Sequence, residues 1–558
     1  MLKFSIIIPL IIMGVSSAGN TMNSDDFSYS IPYYSVRIEN ISQTDIKVLE
    51  DQGFLIEWAH GDKATVYVNA DQEELLRHLG FKPMHIPVPE PLIPYPSLLD
   101  IYDSAALIAS NHSDICVLDT IGYSVQVRPI LAVIVSDNPG VEEIEPELRI
   151  HGGIHGNEKI ASTVTLCYLN KLTEGYADDP ACQYIINNSE TWIIPVLNPD
   201  GYYSSNRYNA NGIDLNRNCS YMGPGGGGGS TAFSEPETAA LRDLTMQNWP
   251  DIENFINPFS TGLSLHSGAQ CINTVWNYTV SPLPEDYDLL DAQCNSYVND
   301  PGIIDYFGSG GAFWIALPGA SWYAINGDVN DWSYGECGTV DYTIETHDTF
   351  APSDWPDINM AHYHATLDFF TTSIYGIWGT VTNASGDPLD AMISMGISDG
   401  TDSTPLRFCR TDVTLGDYHK TLVPGTYDVE VSADGYVPQI ITDVAVGPEE
   451  RVEVSFVLYN VGIEDSETGS IGTGRLCVYP NPANGSLNIS LPVTGVGGIV
   501  AIYDITGRSV YSQEMTTEME TFVWNCAEHN GSEVPSGMYT VRFNSGNSSW
   551  TTRFIVNR

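Results

Sequence analysis

The sequence is poor in basic residues. Its 558 residues include 22 Lys and Arg against 70 Asp and Glu, which gives a formal net charge of −48. Nucleic acids and anionic membrane surfaces bind proteins through clustered basic side chains. We therefore exclude nucleic acid as a partner of the whole chain.

Long hydrophobic runs are also missing, because no stretch approaches the roughly 20 apolar residues that a membrane-spanning helix needs. The first residues carry one lysine, a short apolar run and a small-residue end at Ala18, as secretory signals do. We predict a signal peptide over residues 1–18, no transmembrane segment and an exported protein.

None of the ten cysteines form a CxxC pair, which excludes a thiolate zinc cluster. Exported proteins commonly form disulfides. We therefore expect some of the cysteines to pair, with Cys271 and Cys294 as one candidate pair.

The N-terminal part, residues 27–90, has the pattern of a small α+β module. Strands are predicted at 34–38 and 64–68, and helices at 43–52 and 72–79. A proline-rich linker follows at 87–96. A prosegment that assists folding or blocks a site has this position, and an accessory domain is the alternative.

Residues 97–374 alternate strands and helices as an α/β domain does. Buried strands are predicted at 130–135 and 192–197, with a helix at 159–172 between them. The glycine run at 223–229 is expected to be a flexible surface loop, and it lacks the Lys-Ser/Thr of a phosphate loop.

The C-terminal part changes to short alternating strands separated by turns, such as those at 425–432 and 451–458. This pattern predicts two β-sandwich domains, at 376–459 and 476–558. A polar linker at 461–474 separates them.

A candidate metal site begins where an apolar strand runs into glycines. His155 and Glu158 are three residues apart at this strand-to-helix turn, so both can reach one ion. Zinc accepts imidazole nitrogen and carboxylate oxygen, and a catalytic zinc needs a third ligand and an open position. His266, at the end of another apolar run, is the best third ligand, whereas His151 is interpreted as a structural neighbour.

Five motifs follow one another in the middle of the chain: HGNE at 155–158, NPDGY at 198–202, DLNRN at 214–218, LHS at 265–267 and TIET at 343–346. Together they resemble the zinc metallocarboxypeptidase family, and in particular the branch of the regulatory carboxypeptidases E, M, N and D. The resemblance covers residues 97–374. It implies a mixed central sheet with helices on both faces, one Zn²⁺ in the catalytic domain, and hydrolysis of the C-terminal peptide bond of peptides or proteins.

The resemblance also implies roles for single residues. His155, Glu158 and His266 would bind zinc, and Asp214 would accept the other ring N–H of His155. Arg207 would polarise the scissile carbonyl and stabilise its oxyanion.

The remaining roles concern the substrate and the proton. Asn216 and Arg217 would hold the terminal carboxylate, which a planar guanidinium can bind in a bidentate manner. Glu345 would be the general base that takes a proton from the attacking water and passes it to the leaving amine. Tyr323 would be the mobile substrate-binding tyrosine, with Tyr334 as the competing candidate.

Two positions bear on substrate specificity. Relatives that remove Lys or Arg usually carry an acid eleven residues after the third zinc ligand and a glutamine fifteen residues before the catalytic glutamate. Asn277 and Asn330 stand at these places. A buried cationic side chain without a charge partner is costly, so we expect a neutral polar or small residue at the substrate's end.

The C-terminal modules have resemblances of their own. Residues 376–459 resemble a transthyretin-like sandwich. Residues 476–558 resemble the type IX secretion sorting domain of Bacteroidetes-like bacteria, which implies secretion machinery as a partner and an extracellular or cell-surface location reached through the periplasm.

Two other functions remain open for the central domain. One is a peptidase for cell-wall or isopeptide termini, such as γ-D-glutamyl links, that uses the same site. The other is a catalytically silent surface binding protein, which missing zinc ligands or a missing base would indicate.

Overall fold

The computed structural model describes residues 34–556 except for 53, 61, 86–93, 246–258, 399–402, 461–475, 480–482, 484, 492–496, 505–507, 517–520, 528–530 and 546–547. The predicted signal peptide at 1–18 and the linker at 461–474 lie outside these residues. Within them, no helix is both long and apolar enough to cross a membrane.

The N-terminal module is a four-stranded sheet in the order β2-β3-β1-β4 with two helices. Its apolar core includes Val36, Leu49, Val66 and Leu76. The predicted strands and helices are confirmed, and the prediction missed β2 and β4. The elements are β1 (Tyr34–Glu39), α1 (Gln43–Asp51), β2 (Leu55–His60), β3 (Lys63–Val68), α2 (Ala70–His78) and β4 (Met84–His85).

The central region is built on an eight-stranded mixed sheet in the order β11-β10-β12-β9-β7-β8-β6-β5. Its strands are β5 (Cys116–Tyr123), β6 (Pro129–Val135), β7 (Glu147–His151), β8 (Glu190–Ile194), β9 (Phe259–His266), β10 (Ala269–Thr274), β11 (Trp314–Ala316) and β12 (Val340–His347). Strands β8, β7, β9 and β12 are parallel neighbours. The predicted strand at 192–197 ends at Ile194, before Pro195, because proline has no N–H to donate to a ladder.

Helices and loops cover both faces of this sheet. A large core contains Ile150, Leu263 and Ile344, and a second core on the other face contains Ile130, Ile194 and Trp332. The helices are α3 (Leu98–Asn111), α4 (Lys159–Gly175), α5 (Pro180–Ile186), α6 (Pro199–Ser204), α7 (Pro236–Thr245), α8 (Tyr287–Val298), α9 (Pro301–Phe307), α10 (Val329–Trp332) and α11 (Trp355–Ser373), with shorter helical turns at Leu215–Arg217, Gly319–Ser321 and Ser333–Cys337.

Two further units of paired sheets follow, each with its own apolar core. In the first, the strand predicted at 451–458 is divided into β20 (Arg451–Glu453) and β21 (Phe456–Leu458), which pair with successive parts of β13 (Gly376–Asn383). Its strands are β13 (Gly376–Asn383), β14 (Ala391–Ser398), β15 (Ser403–Pro405), β16 (Cys409–Arg410), β17 (Asp417–Thr421), β18 (Gly425–Ala433), β19 (Gln439–Val446), β20 (Arg451–Glu453) and β21 (Phe456–Leu458). Those of the second are β22 (Cys477–Tyr479), β23 (Leu487–Ser490), β24 (Gly498–Asp504), β25 (Ser509–Met515), β26 (Thr521–Trp524), β27 (Gly537–Ser545) and β28 (Ser548–Val556).

The expected disulfide between Cys271 and Cys294 is wrong. Both thiols are buried, and neither forms a disulfide. Cys271 lies on β10 and Cys294 on α8, where each packs in an apolar core. Burial raises the pKa of both thiols well above the usual value, so they remain protonated and behave as small apolar side chains.

Candidate active site

Three buried side chains meet at the carboxyl edge of the parallel strands. His155 and Glu158 follow β7 and precede α4, and His266 is the last residue of the neighbouring strand β9. Carboxyl ends of parallel strands lie at one edge of a sheet, where ligands of open α/β sheets bind. The parallel pairing of β7 and β9 therefore brings residues more than a hundred positions apart into one cluster.

The cluster has the geometry of a metal site. The ligating atoms of His155, Glu158 and His266 all lie within 4.8 Å of one another. Glu158 Oε1 is 2.8 Å from His155 Nδ1, and Glu158 Oε2 is 3.1 Å from His266 Nδ1. The two Nδ1 atoms are 3.2 Å apart. Among the residues that the structure describes, this is the one group of three such side chains placed to hold an ion.

The donor set fits zinc. His155 Nε2 lies 2.9 Å from Asp214 Oδ1, and a carboxylate can only accept, so Nε2 carries the hydrogen. Nδ1 of His155 is then left with its lone pair facing Glu158 and His266. Two imidazole nitrogens and one carboxylate are the ligand combination of many catalytic zinc sites. Zinc is therefore the group that these residues are suited to bind.

Electrostatics keep the carboxylates of the cluster ionised. Burial alone would raise the pKa of Glu158, but His155 and His266 lower it below its usual value. Burial likewise opposes ionisation of Asp214, and Arg207 and His155 hold its pKa well below the usual range. Burial and Arg207 lower the pKa of His155, and Glu158 and Asp214 outweigh them, so the net shift is upward.

The pKa of His266 shifts in the other direction. Burial lowers it, and the nearby carboxylate of Glu158 does not offset this effect. A neutral imidazole is the form that binds a metal. The surroundings of His266 therefore favour the ligating form.

Both candidate arginines are buried at this site. Arg207 donates from Nε to Asp214 Oδ2 at 3.1 Å and from Nη1 to Glu158 Oε1 at 3.3 Å. Arg217 donates from Nη1 to the carbonyl of Asn216 at 2.7 Å. The amide of Asn216 accepts from the N–H of Val329 at 3.1 Å, and its Nδ2 lies 3.4 Å from His266 Nε2.

Glu345 lies beside the cluster because of strand register. It is the partner of His266 in the parallel pair of β12 and β9, and the partner of Cys271 in the antiparallel pair of β12 and β10. Tyr323 belongs to the same neighbourhood: burial raises its pKa to about 12, Glu345 adds to the rise, and Arg217 opposes it through charge and a hydrogen bond. Tyr323 is therefore hydrogen-bonded to Arg217 and lies close enough to Glu345 to sense its charge.

Tyr334, the competing candidate, lies elsewhere. Its ring is fully buried, and its hydroxyl accepts from the N–H of Asp286 at 3.1 Å and donates to Glu285 Oε2 at 3.2 Å. It packs edge-on against Trp276 with the ring centroids 5.0 Å apart. Tyr334 is thus a core residue between the sheet and the loop before α8.

Asn277 and Asn330 are buried but use their amides on different partners. Asn277 Nδ2 donates to Asp328 Oδ2 at 2.6 Å, whereas Asn330 Oδ1 accepts from Thr343 Oγ1 at 2.8 Å. Sequence reasoning missed Asp328, and it also missed Asp331, whose carboxylate accepts from the N–H of Asn277 at 2.8 Å. The sequence signal for them is only that both acids flank Asn330, and it does not show that they contact Asn277.

Burial raises the pKa values of Asp328 and Asp331 above the usual value of an aspartate. Burial raises the pKa of Asp328 to about 6, and the Asn277 amide and Arg217 oppose the rise. Burial and the charge of Asp328 raise the pKa of Asp331 to about 9. The two carboxylates titrate as a coupled pair, and together they carry about one negative charge at neutral pH.

His151 is a structural neighbour, as expected. Its side chain is buried, and Nε2 lies 3.0 Å from Ser264 Oγ. Burial, together with Arg149 and His266, holds its pKa well below the usual value, so the ring is neutral. It is not one of the three side chains that are placed to hold an ion.

Comparisons with known proteins agree with this geometry. Residues 101–354 match the family described as zinc carboxypeptidase, and residues 477–557 match the family described as secretion system C-terminal sorting domain. Human carboxypeptidase D is 29% identical over 401 residues, which are 66% of this chain and 27% of that protein. The chain therefore spans about a quarter of the length of this relative.

This chain covers a larger share of two other known proteins. Carboxypeptidase SOL1 of Arabidopsis thaliana is 30% identical over 364 residues, 62% of this chain and 68% of that protein. The crystal structure of carboxypeptidase A from Helicoverpa armigera is 18% identical, with a TM-score of 0.51 over 61% of this chain and 97% of that one, and it shows a shared fold. The motifs, the buried His-Glu-His cluster and these matches agree, and the chain belongs to the zinc carboxypeptidase family.

Proposed function

We propose that the protein is a zinc-dependent exopeptidase that hydrolyses the C-terminal peptide bond of peptides or proteins. One observation carries the proposal: the buried cluster of His155, Glu158 and His266 lies against Glu345, with two buried arginines beside it. A metal site, a base and anion-binding groups in one place are what this hydrolysis needs.

His155 Nδ1, Glu158 and His266 Nδ1 would hold one Zn²⁺. When bound, zinc supplies a Lewis acid that polarises the scissile carbonyl and lowers the pKa of water. Asp214 orients the His155 ring through Nε2, which fixes the ligating nitrogen.

The chain's own side chains would orient the substrate. The guanidinium of Arg217 and the amide of Asn216 hold the terminal carboxylate, and the Tyr323 hydroxyl, close to Arg217, packs over the bound residue. The guanidinium of Arg207 donates to the carbonyl oxygen as negative charge develops on it. Its contacts with Asp214 and Glu158 hold it in place before substrate arrives.

Glu345 would move the proton. Its carboxylate takes a proton from the attacking water and delivers it to the nitrogen of the leaving amino acid, so that the leaving group departs as a neutral amine. Because Glu345 lies on β12, between β9 and β10, its carboxylate is held in a fixed position relative to the attacking water.

A neutral polar or small terminal residue is the substrate class that we propose. Asp328 is the acid nearest to Asn277: it accepts a hydrogen bond from the Asn277 amide at 2.6 Å, and the charge of the nearby Arg217 stabilises its ionised form. Burial and the charge of Asp328 raise the pKa of Asp331, which disfavours a second negative charge in the pair. The pocket therefore does not require a cationic side chain for charge balance.

Export is the second part of the proposal. The match of residues 477–557 to a secretion sorting domain supports an extracellular or cell-surface location and the secretion machinery as a partner. The same match supports residues 476–558 as a domain distinct from the enzyme. Residues 27–90, 97–374 and 376–459 are proposed as prosegment-like module, catalytic domain and β-sandwich.

The test is release of C-terminal residues from free-acid peptides and from matched C-terminal amides, with a panel that ends in Asn, Ser, Leu, Lys and γ-D-glutamyl-linked residues. We expect release from free acids ending in Asn or Ser, and none from amides or after chelation. Release of γ-D-glutamyl-linked residues alone would favour a cell-wall peptidase. No release from any peptide by the zinc-loaded protein would contradict enzymatic function.

A further inference from the structure

The glycine run at 223–229 is not simply a loop on the surface. Gly226 and Gly227 are exposed, but Gly228 is buried, which contradicts the expectation from sequence. The N–H of Gly225 donates to the carbonyl of Arg217 at 2.9 Å, and Asn218 Nδ2 donates to the carbonyl of Gly228 at 2.6 Å. The run is therefore tied to the segment that carries Arg217.

Two of these glycines leave no room for a side chain. A Cβ on Gly228 would overlap the carbonyl group of Arg217, and it would also lie 2.8 Å from Arg217 Cβ. A Cβ on Gly225 would lie 3.0 Å from Arg217 Cδ and would overlap the carbonyl oxygen of Asn326. Real Cβ atoms do not approach backbone atoms so closely, so any side chain here must displace Arg217 or its neighbours.

Gly225 also joins two parts of the site. On one side it touches the side-chain stem of Arg217, and on the other it touches Asn326, three residues after Tyr323. The absence of side chains in the run thus sets the separation between Arg217 and the segment that carries Tyr323.

We propose that Gly225 and Gly228 are positioning residues. Their lack of a side chain lets Arg217 lie where its guanidinium can bind the substrate's terminal carboxylate. This inference rests on the proposed function, in which Arg217 binds the substrate's terminal carboxylate. A bidentate guanidinium–carboxylate contact is sensitive to displacement, and a shift of about 1 Å can cost as much as a hundredfold in rate.

The run offers its own matched control. Gly226 has open space around the position of a Cβ and an ordinary φ. Gly226→Ala adds the same methyl group to the same loop without touching Arg217. Gly228→Ala and Gly225→Ala add it against Arg217 from two directions, so that one variant remains informative if the other does not fold.

Binding is measured without turnover in the full-length, zinc-loaded Glu345→Gln protein. Calorimetry compares acetyl-Ala-Ala-Asn as the free acid with the same peptide as its C-terminal amide. We expect Gly228→Ala and Gly225→Ala to weaken binding of the acid by about tenfold and to leave the amide unchanged. Gly226→Ala should bind both peptides as the parent does. In the active enzyme the same two variants should raise KM by about tenfold with kcat within about twofold.

The outcomes separate this inference from the proposed function. If the parent prefers the acid over the amide and Gly228→Ala and Gly225→Ala retain that preference, the positioning role is wrong and the proposed function stands. If both variants lose zinc or unfold, the glycines serve folding and the inference is overturned. If the parent itself does not distinguish acid from amide, the carboxylate grip is wrong, and the proposed exopeptidase and the inference fall together.

Discussion

Glu345 and His266 are direct partners in the parallel pair of β12 and β9. Adjacent partners on neighbouring strands point to the same face of a sheet. The proposed base and a proposed zinc ligand are thus placed side by side by backbone hydrogen bonds. This relationship places the proposed chemistry on two neighbouring strands of the eight-stranded sheet.

Replacing Glu345 with glutamine should abolish proton transfer and retain the site. We expect kcat to fall by about 10²–10⁴-fold, the range for loss of a general base, with KM nearly unchanged. Steady-state kinetics on a released-residue assay measures both parameters. Glu453→Gln, on the exposed face of β20, is the control and should be fully active. Activity within tenfold of the parent would show that Glu345 is not the base.

Removal of the metal should eliminate activity and lower the thermal stability. Without the ion, two histidine nitrogens 3.2 Å apart and a buried carboxylate lose a common partner. A ligand that binds only the folded state stabilises it by mass action. We expect chelation to lower the midpoint of thermal unfolding and one equivalent of Zn²⁺ to restore it.

His266→Ala provides the matched control for this experiment. This variant should contain far less zinc after purification, and chelator should no longer shift its unfolding midpoint. Full zinc content in His266→Ala, measured by metal analysis, would contradict the assigned ligand set.

The contact between the central region and the unit of paired sheets at 376–458 includes a buried ion pair. Lys420 Nζ lies 2.8 Å from Asp286 Oδ2, and both side chains are buried. Removing one partner of such a pair leaves an uncompensated charge and costs about 3–5 kcal/mol. We expect Lys420→Met to destabilise the protein by this amount in denaturant unfolding.

An exposed pair of similar length is the control. Lys171 Nζ and Glu174 Oε2 are 2.9 Å apart, with 39% and 51% of the side chains exposed. Lys171→Met should cost less than about 1 kcal/mol. Adding Asp286→Leu to Lys420→Met should recover much of the lost stability, because the unpaired charge is gone. Equal effects of the two lysine substitutions would contradict the importance of the buried pair.

Glu145 should make the protein less stable as pH rises. Burial raises its pKa in the folded state from 4.5 to about 7, and Ser136, which donates to it at 3.1 Å, opposes the rise. Between these values the folded state binds more protons than the unfolded state, so stability is full below the lower value and is lost as pH rises to the upper one. At about 1.4 kcal/mol per unit of pKa shift the contribution is at most about 3 kcal/mol, and the partial solvent exposure of Glu145 reduces it.

Glu145→Gln tests this sign directly. Urea unfolding at about pH 5 and about pH 7 should show a smaller loss of stability in the variant than in the parent. The parent and the variant should be close in stability at the lower pH, where Glu145 is largely protonated. An identical loss in both proteins would show that Glu145 does not titrate in this range.

Much of the fold could be predicted from local pattern. The alternation of residues 34–38 and the apolar run at 130–135 are confirmed as strands, and the helix at 159–172 is confirmed as α4. Strand limits were less accurate: the strand predicted to reach Leu197 ends at Ile194, and that at 451–458 is divided. The sequence pattern shows which residues are apolar. The end of a strand depends instead on which backbone N–H and C=O groups find hydrogen-bond partners.

The candidate site was predicted in part. The motifs singled out His155, Glu158, His266 and Glu345, and the structure brings them together. They could not reveal Asp328, because an acid at a helix N-terminus is common as a cap, and its contact with Asn277 joins positions fifty-one residues apart. The fold alone supplied this neighbour.

The sequence by itself determined the types of chemical group and the motifs that carry them, because residue spacing and hydrophobic period are local properties. The tertiary structure decided which groups share an environment. It placed Tyr323 rather than Tyr334 near Arg217, left Cys271 and Cys294 unbonded, and packed Gly228 against Arg217. These outcomes depend on distances between segments far apart in the chain, which only the packing of the whole domain sets.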